Sequence, residues 1–343
     1  MFPRRFKLFL VDFNRLLLFP VISIFLVCIF LSACGTRPDV SKKIKIAAVF
    51  STPLEEPWVA SVHQALLTAR RELDVAYDHT ENVRPDDFEG VLREYAERGY
   101  EIIFGDAFGN EEIARRVARD YPEIAFCFGS GYGPVEPNFS VFDNWIQEPA
   151  YLCGLIAGSL TGTGIIGAVG AKPVPEVNRL LNAFRLGAKE ADPEVKVMIS
   201  FIDDWFDPPA ARAEAFAQID SGADLIYAER YGVIGACREK RVLAFGNIQD
   251  QYSLAPDTVV TGPVWDMWPT VKQVVASVEE GSYQAQDLAP WSMMAKSGAF
   301  LAPYHSFERR LPDELKEMVD RRRRKILAGL FRVPVCETVP TSD

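Results

Sequence analysis

Histidine is scarce in this chain, with three in 343 residues, and neither HExxH nor CxxC occurs. Without such ligand spacings a metal centre is not expected. No Walker loop, GxSxG elbow or helix-opening GxGxxG is present, so phosphate-loop, serine-hydrolase and dinucleotide chemistry have no anchor. No clustered acid–base set suggests an enzyme, and no cofactor is implied. Basic residues are outnumbered, 37 Lys and Arg against 47 Asp and Glu, for a net charge of −10. That balance argues against nucleic acid and anionic lipid as main partners. Long apolar runs are missing but for Leu16–Phe30, itself broken by Pro20 and Ser23. It falls short of the roughly 20 residues that a spanning helix needs.

What stands around that run is an address. Arg4, Arg5, Lys7 and Arg15 precede it, and Leu31-Ser32-Ala33-Cys34-Gly35 follows it. Charge, apolar run and small residues form a secretory signal, and the terminal cysteine makes it a lipoprotein signal. Residues 1–33 are therefore expected to be cleaved and Cys34 to carry the lipid, with 34–43 as a polar tether. The expected location is the cell envelope, on a periplasmic or other extracytoplasmic face. Cys28 lies in the leader. Cys127, Cys153, Cys237 and Cys336 are scattered in apolar contexts without framework spacing. That pattern predicts buried free thiols, although the compartment permits disulfides.

Beyond the tether, short apolar runs alternate with helical periodicity. Ile44–Phe50, Val75–His79, Ile102–Phe104 and Ile124–Phe128 read as strands, with amphipathic helices between them. The pattern restarts with strands Ile165–Val169, Val195–Phe201, Leu225–Tyr227, Val242–Phe245 and Val259–Thr261. Near-continuous apolar strands alternating with helices predict an α/β fold: two lobes, each a doubly wound, mostly parallel sheet. The expected boundaries are 44–145 plus 285–335 for lobe 1 and 146–284 for lobe 2. A basic run, Arg321–Lys325, ends the last helix and reads as a solvated C-terminal turn.

In such sheets ligands bind beyond the carboxyl ends of the strands. Trp58, Trp205 and Trp265 stand in post-strand loops, and Phe108 and Asn110 share the loop after Phe104. Indole faces stack flat rings, and Asn or Asp edges pair with ring N–H and acceptor groups. The set predicts a mouth for a heteroaromatic ring such as a purine. Glu229, Arg230 and Tyr231 also follow a strand, as cleft groups or as a salt-bridged rim.

Several segments resemble, in order, the basic membrane protein family of ABC-transporter substrate-binding lipoproteins, which includes purine-nucleoside binders. They include Gly99–Gly105, Tyr151-Leu152-Cys153-Gly154, Asn182-Ala183-Phe184, Gly187-Ala188, Trp205-Phe206-Asp207-Pro208 and Gly222–Ile226. The resemblance implies a two-lobed, type I periplasmic-binding-protein clamp that captures a ligand without catalysis and passes it to a membrane permease. It places His63 and Trp205 at the family's purine-stacking aromatics, with Trp58 nearby, and Lys296 at a family lysine near the cleft. It also places Ile248 where nucleoside binders carry a ribose-holding acid. Isoleucine cannot accept those bonds, so a free purine base is favoured over a nucleoside. Asn247 or Asp250 keeps the nucleoside open by partly replacing the acid. A monomer is expected. The alternative function is a purine- or nucleoside-sensing lipoprotein that signals to a membrane receptor.

Overall fold

The computed structural model describes residues 43–343; the expected leader, Cys34 and all but the last residue of the tether lie outside the described residues. The first sheet is built from β1 (Lys45–Val49), β2 (Ala76–Thr80), β3 (Ile102–Asp106), β4 (Ala125–Gly129) and β5 (Phe139–Phe142), ordered β2-β1-β3-β4-β5. All its pairings are parallel. Helices α1 (Pro57–Glu72), α2 (Pro85–Glu97) and α3 (Glu111–Asp120) connect the strands. Proline opens α1 and α2, where its missing N–H has no intrahelical partner to lose. The fifth strand, Phe-Ser-Val-Phe, was not legible in the sequence. Its Ser140 is buried and hydrogen-bonds the Tyr283 hydroxyl at 2.7 Å, which masks the apolar run.

The second sheet repeats the plan. Strands β6 (Ile165–Gly170), β7 (Lys196–Phe201), β8 (Leu225–Ala228), β9 (Leu243–Phe245) and β10 (Val259–Thr261) lie in the order β10-β9-β8-β6-β7. Counted from its own first strand, that order matches the first sheet. Helix α4 (Gln147–Leu160) leads into it, followed by α5 (Pro175–Ala191), α6 (Pro208–Asp220) and α7 (Val233–Lys240). Helices α4 and α5 touch backbone to backbone. A Cβ on Gly154 would lie 2.0 Å from the Phe184 carbonyl oxygen, and one on Gly187 would lie 2.1 Å from that of Tyr151. Two of the motifs that carried the family resemblance, around Gly154 and Gly187, are therefore packing devices.

The chain then returns to the first sheet. Helix α8 (Trp268–Glu279) packs on α1, and the Leu288 N–H bonds the Val141 carbonyl. Strands β11 (Pro263–Trp265) and β12 (Ala299–Leu301) form an antiparallel ribbon beside α4. Helix α9 (Asp313–Leu327) also packs against α4. Within its basic run Arg322 pairs with Glu190 and touches the Tyr151 hydroxyl, while Arg323 and Arg324 pair with Asp320. The last residues cross back to edge strand β7. The Asp343 side chain accepts from the Val197 N–H and Ser342 Oγ from the Ile199 N–H, so the edge is covered. Cys127, Cys153 and Cys237 are buried free thiols, but Cys336 is exposed. The last departs from the expectation because it lies on this surface-running tail. Among the described residues no helix is long and apolar enough to cross a membrane.

Candidate ligand site between the lobes

Segments that follow four strands, β1, β7, β8 and β9, converge on one small cavity. Its volume is about 10 Å³, roughly room for one water. Pro57, Trp205, Asn247, Ile248, Gln251, Glu229 and Arg230 are among the residues lining it. Side chains from both lobes fill the space around it.

Lobe 2 supplies the cation. Arg230 follows β8, and its guanidinium is almost fully buried. Its Nε donates to Glu229 Oε2 at 2.9 Å and its Nη2 to Glu229 Oε1 at 2.6 Å, a bidentate fork. Nη1 donates to the Trp205 carbonyl at 2.9 Å. From lobe 1, Glu56 Oε1 lies 3.7 Å from Nη1. Glu56 also caps α1 by accepting the Val59 N–H at 2.9 Å. Burial raises the Glu56 and Glu229 pKa values above the usual carboxylate range, and Arg230 only partly offsets it.

Carboxylates outnumber cations here. Asp106, at the end of β3, is pushed up to about 7 by burial, with Glu56 and Asp143 adding repulsion. Glu176, in the first turn of α5, is raised by burial and by Asp143. It accepts from Asn144 Nδ2 at 2.8 Å. Arg179 pairs with Asp143 and stacks on the Trp145 ring 4.1 Å away. Asn144 and Trp145 thus belong to this crossover network.

The aromatic residues divide. Trp205 lies on the cavity wall, and Phe108 from lobe 1 meets it edge to face at 5.1 Å. Trp58 stacks on Phe142 and packs at a tilt against Trp265 in the core. The indole nitrogens of Trp58 and Trp205, and Asn110 Oδ1, are buried without a hydrogen-bond partner among the described residues. Each such group costs about 1–3 kcal/mol unless something meets it. Asn110 Nδ2 holds Ser51 Oγ at 3.0 Å. Asn247 is buried against the cavity, accepting from the Tyr227 hydroxyl at 2.7 Å.

Other expected site residues lie elsewhere. Trp265 is in the core between the lobes, with its indole N–H bonded to Ser292. His63 faces β2, bonding the Tyr77 hydroxyl at 2.8 Å and meeting the His79 ring at 4.7 Å. Asp250 is held by His305 at 2.7 Å, outside the cavity lining. Lys296 is exposed, its ammonium over the Trp291 ring. Glu56, Asp106 and Glu176 were not singled out from sequence. For Asp106 the signal was available, because it ends a strand directly after Gly105.

Residues 43–288 match the model of the Bmp family, described as PnrA-like ABC transporter substrate-binding proteins. The chain belongs to the Bmp family. As a Bmp protein it is a substrate-binding component of an ABC transporter, a class that binds small molecules and works with a permease. Over 258 residues it is 33% identical to a Haloferax volcanii protein provisionally named an ABC transporter glucose-binding protein. That match covers 73% of this chain and 65% of the relative, so the chain spans just under two-thirds of its length. A purine-binding protein of Brucella abortus is 28% identical over 305 residues, covering 86% of this chain and 84% of the other. A solved ABC-transporter solute-binding protein from Conexibacter woesei superposes with a TM-score of 0.68 at 22% identity, covering 85% of this chain and 99% of that one. The Bmp chain therefore has the two-lobed type I periplasmic-binding-protein fold that the sequence predicted.

Proposed function

We propose that this Bmp protein captures a purine, as the free base in preference to a nucleoside, and delivers it to a membrane permease. It does so outside the cytoplasm, held by a lipid on Cys34. The observation that carries the preference is Ile248. It is 1% exposed, lines the cavity, and has a left-handed backbone at φ 64°. A β-branched residue is seldom found there, and strain of this kind concentrates at functional sites. An isoleucine on that wall gives ribose hydroxyls no acceptor, at a cost of about 1–3 kcal/mol for each hydroxyl left unmet. Trp205 supplies a ring face beside it, and its unpaired indole N–H supplies a polar edge.

A second reading, a hexose, is favoured by the carboxylates Glu56, Asp106, Glu176 and Glu229, which suit sugar hydroxyls. The name of the Haloferax volcanii relative points the same way. A thermal-shift screen with hypoxanthine, adenine, inosine and glucose separates the readings. A ligand at 100 times its dissociation constant adds about 2.7 kcal/mol of stability. Stabilisation by the bases is the expected result. Stabilisation by inosine but not by the bases would overturn the free-base preference, and stabilisation by glucose alone would overturn the purine.

A further inference from the structure

The buried guanidinium of Arg230 is not fully used by the protein. Its Nε and one N–H of Nη2 are committed to Glu229, and one N–H of Nη1 to the Trp205 carbonyl. Among the described residues each Nη atom carries only that one hydrogen bond, which leaves one N–H on each. Glu56 Oε1 lies 3.7 Å from Nη1, beyond hydrogen-bond reach. Arg230 therefore keeps one unbonded N–H on each Nη atom, and it lines the cavity together with Trp205 and Ile248.

A guanidinium only donates, so its ligand must present acceptors. Two adjacent acceptors in one plane satisfy both N–H groups at once. In a purine that pattern belongs to the 6-oxo ring, whose O6 and N7 lie side by side and are the usual bidentate target of arginine. The 6-amino ring offers N7 but turns a donor toward the fork at position 6. We propose that Arg230 is the specificity-determining residue of this cleft and selects 6-oxopurines over 6-aminopurines. This rests on the purine reading above. Glu229 holds the fork in plane and acts as a positioning residue. Glu56 closes on the same guanidinium from the other lobe, so the ligand edge competes with an interlobe contact.

The test is calorimetric titration of the full-length protein with hypoxanthine, adenine and 7-deazahypoxanthine. Hypoxanthine is expected to bind at least about tenfold more tightly than adenine, in line with the discrimination of one bidentate arginine contact. Removal of N7 should forfeit much of that advantage. Arg230→Lys keeps the charge beside Glu229 but loses the fork, so it should narrow the hypoxanthine-to-adenine ratio toward one. A ratio near one, or in favour of adenine, in the unmodified protein overturns the selection rule while leaving purine capture standing. An unchanged ratio in Arg230→Lys overturns the assignment to Arg230. Failure of both purines to bind overturns the purine reading, and this inference with it.

Discussion

The two lobes share one strand order and differ in what their loops carry. Lobe 1 places acids beyond its strands, Glu56 at the N-cap of α1 and Asp106 at the end of β3, with the exposed ring of Phe108 nearby. Lobe 2 ends β8 in an acid and a cation together, Glu229 and Arg230, and follows β9 with Asn247 and Ile248. Their interiors differ too. The first sheet packs Phe104, Phe126, Phe128, Phe139 and Phe142, whereas helix contacts in the second lobe are made by glycine and alanine. Topology sets where loops converge, and the loops alone set the chemistry. A repeated architecture thus yields an asymmetric cleft in which lobe 2 carries the only cation at the cavity wall among the described residues.

Substitutions can break this comparison. The largest effect is expected from Arg230→Met, which leaves Glu229 and Glu56 buried without their cation. It should cost about 3–5 kcal/mol in urea denaturation. Next, Gly187→Ala forces apart the α4–α5 contact peculiar to lobe 2 and should cost about 1–3 kcal/mol by the same measurement. Trp205→Ala removes the ring face from the cavity wall. By the usual worth of base–aromatic stacking, about 1–3 kcal/mol, titration should show affinity lowered by roughly tenfold to a hundredfold. Glu56→Gln tests the lobe 1 side of the same ion pair. At 3.7 Å from Arg230 it should cost only about 1 kcal/mol, well below Arg230→Met.

The remaining test is a pH slope. Asp106 has its pKa raised in the folded protein, from the ordinary carboxylate range to about 7. The folded state then holds the proton more tightly than the unfolded chain. Its contribution is fully present at acid pH, is lost as pH rises toward and through about 7, and is flat above. Asp106→Asn should flatten that part of the stability profile in denaturation series from pH 4 to 8. An unchanged profile would assign the slope to Glu56, Glu176 or Glu229, which are raised for the same reason.

Much of the fold was legible because parallel strands buried on both faces are nearly continuous apolar runs, and prolines mark helix starts. Helix α8 was not, since nothing in its own periodicity says that it returns to α1. The site was legible only where position alone decides. Trp205 and Asn247 follow strands and reach the cavity wall. Trp265 follows one too, but it ends β11, paired with β12 in the ribbon, and its indole packs on Trp58 and Phe142 in the core. His63 lies five residues after Trp58 on α1, well over one turn, so it faces β2, because helix phase and not sequence distance sets direction. Position after a strand reads Glu229 and Arg230 as cleft groups or as a salt-bridged rim. They are paired and also buried at the cavity.

From its sequence alone the chain settled its class: acidic, α/β, two lobes, strand ends as the place for a ligand, and membership of a transporter-binding family. The family rests on motifs in their order along the chain and the rest on local periodicity and composition, none of which needs partner residues. Tertiary structure alone decided which side chains meet. The gathering of Glu56 from one lobe with Glu229 and Arg230 from the other joins residues far apart in the chain. Their burial, their raised pKa values and the two free N–H groups of the guanidinium exist only once both sheets bring their carboxyl ends together.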